Sequence, residues 1–535
     1  GGRHNNYKTD ANESWNLSSL LPLTLVVPLL LMAKSPYAEA DIIQPKYEEL
    51  ILDLQKILKE DQIDTDEEEC KIRSKPWSSY HRLYTFPRAI VFPESTEEVS
   101  LIAKLCNSYG IPIIPFGGGT SIEGQTLTPY SGISVDFSRM RNIISFHEED
   151  LDITVQAGLG YIELNEELRK LSTKNPLWFP LDPGPGATVG GMCACRCSGS
   201  TAVRYGSMRE NVLSLTAVLP DGTIIKTGSR ARKTSAGYDI TRLLIGSEGT
   251  LAIITEATLK LHGIPKVSHA LRISFPNGVY DASMTSKDTL SCGVSVGRCE
   301  LLDEQMVTVI NQANPTNLLG LPPWPECTTL LYELTGLSEE SVAEQIKIVS
   351  DIARKHHGED LYIATSAEET QQFWKYRKEA LWSAMSQYPD RDPMITDVCV
   401  PLTELAGLIV ETKQEIAKID LPCPIIAHAG DGNFHVLILF KPDDPLEVAA
   451  AKKLANWMGE RAISLGGTCT GEHGVGSGKK HLLKLELGEG TISLMKRIKN
   501  VIDPVGVMNP GKVLDMEEKE KKDANGCKSC QKNSK

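Results

Sequence analysis

Apolar positions recur along the chain with two alternating spacings: the three-to-four step of a helix and the every-second-residue step of a strand. Residues 47–58, YEELILDLQKIL, carry the helical spacing, and the acidic run at 61–70 that follows reads as a solvated loop. Residues 88–91 read as a strand, and Ser95, Thr96, Glu97 and Glu98 can cap the helix VSLIAKLCNSYG, which stops at Gly110. A short buried strand over 111–114, strands over 133–136 and 153–158, a helix over 162–171 and the strand pattern VLSLTAVLPDGTII continue the alternation. Beyond Pro265, strand-like runs (270–275, 329–334) alternate with helix-like ones (342–356, 369–386), and 314–325 reads as loop. That order predicts an antiparallel sheet with helices on one face.

Three glycine-rich segments interrupt the pattern near strand ends. The longest, LDPGPGATVGGMCACRCSGSTAVRYG at 181–206, has almost no helical period, few charges and a clean strand pattern after it, which favours a binding loop over disorder. IPIIPFGGGTSIEGQ runs a buried strand into consecutive glycines and hydroxyls, a combination of bare amides suited to a pyrophosphate. LLIGSEGTLAII at 243–254 places Glu248 and Gly249 at the tip of a third turn. No GxGxxG opens a helix with an acidic residue further on, so a nicotinamide site of the Rossmann type is disfavoured.

Composition narrows the class. A chain of 535 residues has room for two to four domains, and 41% hydrophobic with 23% charged residues suits a soluble enzyme. The net charge of -13, without a basic stripe, argues against nucleic acid as partner. Thirteen cysteines without a regular framework favour reduced thiols. Cys193, Cys195 and Cys197 would share one face of an extended segment, where a metal is imaginable; the plainer reading is small residues packed beneath a ligand. Residues 17–33, LSSLLPLTLVVPLLLMA, reach the short limit for a membrane span and precede the small-residue site Ala38-Glu39-Ala40. A cleaved leader, a membrane anchor and a buried helix all fit, the first two better. The terminal 516–535 is charged and polar and reads as disordered, with a lone Cys527/Cys530 pair.

Candidate chemistry lies in two glycine-rich turns. In IIAHAGDGNFHVLILF, Asp431-Gly432 suits a two-residue hairpin turn; Gly430 would then pair with Asn433, and His428 would fall opposite His435. Two imidazoles so held can chelate a divalent metal, although two unrelated core histidines are the bland alternative. GTCTGEHGVGSGKK adds Glu472 and His473 between glycines, and N/O ligation of this kind suits Zn, Mn or Fe.

PFGGGTS, DPGPGATVGGM, SGSTAVRYGSMRENV and GSEGTLAIITEATLKL together resemble the flavin-binding domain of the vanillyl-alcohol-oxidase flavoprotein family, and the resemblance extends over 88–514. It implies an α+β fold: a two-part FAD-binding domain plus an antiparallel-sheet α+β cap domain. The expected division is a leader or anchor over 1–40, FAD-binding domain 41–265, cap 266–470, a segment 471–515 returning to the flavin, and a tail 516–535. By resemblance, Pro115, Phe116, Gly117, Gly118, Gly119, Thr120 and Ser121 hold the FAD pyrophosphate. Pro183, Gly184, Ala187, Thr188, Gly190, Gly191, Ser198, Gly199, Ala202, Tyr205 and Gly206 line the flavin, with Glu248, Gly249, Ile254 and Asn509 nearby. Residues 115–121 contain no His, so non-covalent FAD is expected. His428, His435 and Glu472 become ligands of a divalent metal, Zn or Mn, His473 the base, and Arg377 the group that binds the substrate carboxylate.

The resemblance thus implies a mitochondrial D-2-hydroxyacid dehydrogenase with cytochrome c as acceptor. Where diacid-specific relatives carry a Lys, this chain reads Met394-Ile395-Thr396-Asp397, which tilts the substrate toward a monocarboxylate such as D-lactate. D-2-hydroxyglutarate or glycolate oxidation, a non-catalytic flavin-binding subunit and an ether-lipid synthase of the same fold remain alternatives.

Overall fold

Three principal sheets carry the chain in the computed structural model, which describes residues 40–74, 76, 79–81, 83, 85–314 and 323–516. Residues 17–33, Cys527, Cys530 and most of the 314–325 loop lie outside the described residues.

The first sheet has the order Ile63–Asp64, Ala89–Val91, Ile133–Asp136, Ile113–Phe116, parallel except for its first pair. Helix Thr96–Tyr109 packs on it through Val99, Ile102, Ala103 and Cys106, the one-face stripe that its sequence predicts. Ser95 caps that helix by accepting the Glu98 N–H, and Gly110, at φ +67°, ends it. The acidic run at 61–70 is not a loop. Asp66 accepts the Glu68 and Glu69 N–H groups and starts helix Glu67–Ile72, whose acidic first turn favours the helix dipole.

The second sheet is antiparallel, in the order Ile143–His147, Asp152–Gln156, Ile253–Lys260, Val212–Val218, Ile224–Lys226. Between its strands, the stretch 181–206 does not stay open. It contains helix Val189–Cys195 and the short helix Ala202–Tyr205, because burial of Val189, Met192 and Cys193 in the core overrides the poor helical propensity of its glycines. The apolar run before the GSEG turn is likewise helical, Ile240–Leu244.

The third sheet is antiparallel, in the order Glu359–Ile363, Val267–Phe275, Thr328–Gly336, Val296–Leu302, Ile425–His428, Asn433–Phe440, Asp392–Ile395, with Val398–Cys399 also on Asn433–Phe440. Helices cover both of its faces rather than one. Leu271, Ile273, Leu330 and Tyr332 meet Val279–Ser291, Glu339–Lys355 and Leu402–Ile416 on one side. Ala270, Leu331, Ile426 and Leu437 meet Glu304–Ala313 and Ala367–Lys378 on the other. Strands apolar on both faces require such double cover.

From this sheet the chain enters the long helix Lys480–Ile502, kinked at Gly488, and returns to the first sheet, where Ile113 pairs with Met508.

The hairpin register differs from the expected one. His428 lies opposite Asn433, and Ile426 opposite His435, around a four-residue turn at 429–432. The neighbouring elements claim the residues that would have lengthened the ladder: Gly430 N–H approaches the Cys299 carbonyl at 3.4 Å, and Ser286 donates to the Ala429 carbonyl at 2.9 Å. The slip is by two residues, so both imidazoles keep one face. Gly432 has φ +79°, and a Cβ there would land on the Val400 carbonyl oxygen. Gly432→Ala is therefore expected to cost about 1–3 kcal/mol of stability, read as an earlier midpoint in urea. A wild-type midpoint would mean that the turn tolerates a side chain.

Candidate active site

The three glycine-rich segments converge on one cavity of about 320 Å³, the scale of a small-molecule or cofactor site. Pro115 and Gly117 through Ser121 line it from the end of Ile113–Phe116. Pro183, Gly184, Ala187, Thr188, Gly190 and Gly191 line it around the start of Val189–Cys195, joined by Glu248, Gly249, Ile254 and Asn509. The two loops meet as only glycine permits: a Cβ on Gly118 would strike the Gly186 carbonyl, and one on Gly117 would strike Thr188 Oγ1. That Thr188 hydroxyl is buried on the cavity wall without a hydrogen-bond partner among the described residues, which suits a ligand acceptor. A long apolar cavity with bare amides and a waiting hydroxyl fits a flavin dinucleotide.

Six of the expected flavin residues stand off the cavity wall. Phe116 packs beneath the Arg73 guanidinium, 4.0 Å from its ring centre. Ser198 donates to Glu472 Oε2 at 2.5 Å, and Gly199 packs on Asp182. Ala202 and Tyr205 belong to the short helix that Gly206 ends, with Tyr205 edge-on to Trp178 and His262 at 5.6 and 4.8 Å. The three cysteines do not share a face, because the segment is helical: Cys193 enters the core, while Cys195 and Cys197 border the cavity. Burial pushes the Cys195 thiol up to about 12, and its sulfur lies 3.5 Å from Ser121 Oγ.

At the far end of the cavity, the chemical residues gather. His428 and His435 stand 5.4 Å apart between ring centres on the same sheet face. Glu472 Oε1 lies 3.1 Å from His428 Nε2 and 3.4 Å from His435 Nε2. His435 donates from Nδ1 to the Thr396 carbonyl at 2.9 Å, which leaves Nε2 as a lone-pair donor facing Glu472. His428 Nδ1 is engaged by Glu300 Oε1 at 2.8 Å. The donor atoms of these three residues all lie within 4.8 Å of one another, and two imidazoles with a carboxylate fit a divalent cation. Asp397, His435 and His473 are also grouped within that distance, but the Nδ1 of His435 that faces Asp397 is committed to Thr396. Without a cation on the cluster, burial lowers the His428 imidazolium, yet Glu300 and Glu472 overrule it and hold its pKa well above the ordinary value, so a cation on Nε2 would displace a proton.

His473 stacks on His435 at 4.8 Å and lines the cavity, with its Nδ1 lacking a hydrogen-bond partner among the described residues. Burial pushes its pKa down to about 4 against the pull of Asp397, so the imidazole is neutral near pH 7. Arg377 is not on the cavity wall; its Nε donates to Glu300 Oε2 at 2.6 Å. Lys378 at the end of its helix, and Leu381 and Trp382 of the next helix, Ala380–Gln387, do line the cavity, as does Ile395.

Sequence reasoning missed Asp397, Glu300 and Gln125. Asp397 Oδ2 accepts the N–H groups of Glu472 and His473 at 2.9 and 2.8 Å, and Gln125 donates to the His473 carbonyl at 2.7 Å. For Glu300 and Asp397 the available signal was an acid among apolar neighbours, which burial forces into a partnership; nothing in the sequence marks Gln125.

Fold and cavity define an FAD-binding oxidoreductase of the vanillyl-alcohol-oxidase type. A family model for an FAD binding domain matches residues 87–228, and one for the C-terminal domain of FAD linked oxidases matches 264–513. The chain is similar in fold to p-cresol methylhydroxylase, at TM-score 0.73 and 18% identity over 88% of this chain and 98% of that one. It is 50% identical to the mitochondrial D-lactate dehydrogenase (cytochrome) of Arabidopsis thaliana, over 87% of this chain and 80% of the relative. It is 43% identical to the probable mitochondrial D-lactate dehydrogenase of Danio rerio, over 80% and 85%. The chain belongs to the D-lactate dehydrogenase (cytochrome) family of FAD-linked oxidoreductases.

Because the Gly118–Gly186 approach closes the cavity wall, Gly118→Ala is expected to weaken FAD binding about tenfold or more, the equivalent of about 1–3 kcal/mol of strain. The flavin-to-protein absorbance ratio of the purified variant measures this. A wild-type ratio would mean that the loop contact is dispensable.

Proposed function

We propose that this chain oxidises a D-2-hydroxy acid, D-lactate, to the keto acid pyruvate, and passes the electrons to cytochrome c in mitochondria. The observation that carries the reading is the half-buried His473 imidazole on the cavity wall, stacked on His435 beside the His428, His435 and Glu472 cluster. The names and the identity of the relatives support the substrate and the acceptor. The apolar side chains of Leu381, Trp382 and Ile395 on the cavity wall support a monocarboxylate over a diacid.

The glycine-rich wall would hold FAD, which would supply the hydride acceptor. His428, His435 and Glu472 would hold a divalent cation, Zn or Mn, which would supply positive charge beside the substrate oxygens. His473, held neutral, takes the hydroxyl proton. Lys378, on the cavity wall, supplies positive charge for the carboxylate, and Arg377 beside it in sequence, held by Glu300 through Nε with its terminal nitrogens free among the described residues, adds a second. Leu381, Trp382 and Ile395 limit the space beyond C2 and exclude water from it.

With no His in residues 115–121, FAD is held without a covalent link. We assign the flavin unit to 41–265, the cap to 266–470 and the return segment to 471–515, with a leader or membrane anchor in 1–40 and a tail over 516–535. No helix among the described residues is long and apolar enough to cross a membrane.

His473→Ala is expected to retain FAD but to lose about 10²–10⁴-fold in kcat with D-lactate, the usual share of a positioned base. Flavin absorbance and steady-state turnover measured together check this. A kcat within a few-fold of wild type, with flavin bound, would remove His473 from the base role.

A further inference from the structure

We propose that Glu300 is a positioning residue that couples the metal-binding cluster to the carboxylate-binding arginine. The inference rests on the hydroxy-acid reading above. Glu300 sits in strand Val296–Leu302 directly opposite His428 and is 1% exposed. Its strand neighbours Cys299, Leu301 and Leu302 are buried, so a lone carboxylate there is costly unless every lone pair finds a partner. Its two oxygens divide between two donors on different elements: Oε1 takes His428 Nδ1 at 2.8 Å, and Oε2 takes Arg377 Nε at 2.6 Å.

The first contact sets the geometry of a donor in the cluster with Glu472, and the second that of the guanidinium next in sequence to Lys378, which lines the cavity. The first keeps a proton on His428 Nδ1, so that Nε2, 3.1 Å from Glu472, is the nitrogen available to a cation. The second fixes the plane of the guanidinium by its Nε, while no hydrogen bond engages the terminal nitrogens of Arg377 among the described residues. One carboxylate therefore sets the spacing between the two groups that must grip the same small hydroxy acid.

A Gln at this position separates the two contacts. Arg377 Nε can only donate, so it captures the amide oxygen and turns the amide NH2 toward His428 Nδ1. That nitrogen must then accept, which moves the imidazole proton to Nε2 and withdraws the lone pair from the cluster.

The test uses the FAD-loaded full chain, stripped with chelator and titrated with Mn²⁺ by calorimetry. Wild type is expected to bind one Mn²⁺. Glu300→Gln should bind it about 10–100-fold more weakly, with unchanged flavin content and a raised KM for D-lactate. Wild-type affinity in a flavin-loaded Glu300→Gln protein overturns the proposal. Should that variant fail to fold, Glu300→Asp keeps a carboxylate and is expected to bind Mn²⁺ between wild type and His428→Ala. An Asp variant that binds no better than His428→Ala overturns the proposal instead. If wild type itself binds no Mn²⁺, the metal reading falls and this role falls with it, an outcome distinct from a defect confined to the variants.

Discussion

The buried carboxylate of Asp397 is the constraint on which the chemical end of the molecule depends. It is 1% exposed, and its oxygens accept the Thr470 hydroxyl, the backbone N–H groups of Glu472 and His473, and the Asn433 amide. Burial pushes this carboxyl up, but His473, Lys479 and His435 hold it well below the usual carboxylate range. Each hydrogen bond to such a charge contributes about 1.5–3 kcal/mol. Together these bonds make the turn that presents Glu472 and His473 far more rigid than its glycines would suggest. A Cβ at Gly471 would meet Asn433 Nδ2, so glycine is what allows the turn to close on the sheet.

The cofactor wall and the chemical turn are tied by a second buried carboxylate. Glu248, on the third glycine-rich turn, accepts the N–H groups of Val475 and Gly476 at 2.6 and 2.8 Å. Burial still raises its carboxyl to about 7 against those two backbone hydrogen bonds. Asn509 donates to the carbonyls of Gln125 and Glu248 and so draws the C-terminal segment onto the same wall. Parts far apart in sequence thus arrive at one cavity through directional bonds to main-chain groups. That is how a hydride donor and its base can be held to the tolerance such a transfer demands.

The parts legible in the sequence were those whose residue types make no sense as packing. Glycines beside hydroxyls at strand ends, and histidines with a glutamate between glycines, have no role in a core, and they marked both the cavity and the cluster. What stayed hidden was set by tertiary partners. The hairpin register slipped because the neighbouring strand and helix hold Gly430 and Ala429. The 181–206 stretch coils into helix because its small apolar residues reach a core that its own periodicity does not announce. Glu300 and Asp397 find their partners far along the chain: only the arrival of Arg377 and His428 on one side, and of the 470–473 turn on the other, gives those charges their hydrogen bonds.

The central claim is that flavin, cation and D-lactate meet at His473. It is tested most directly by adding D-lactate anaerobically to the purified flavoprotein and following the flavin absorbance, with and without chelator. The account predicts bleaching by D-lactate that chelator prevents and added Zn²⁺ or Mn²⁺ restores. Bleaching that persists undiminished in chelator would contradict the metal's part, and a flavin that D-lactate leaves fully oxidised would contradict the substrate.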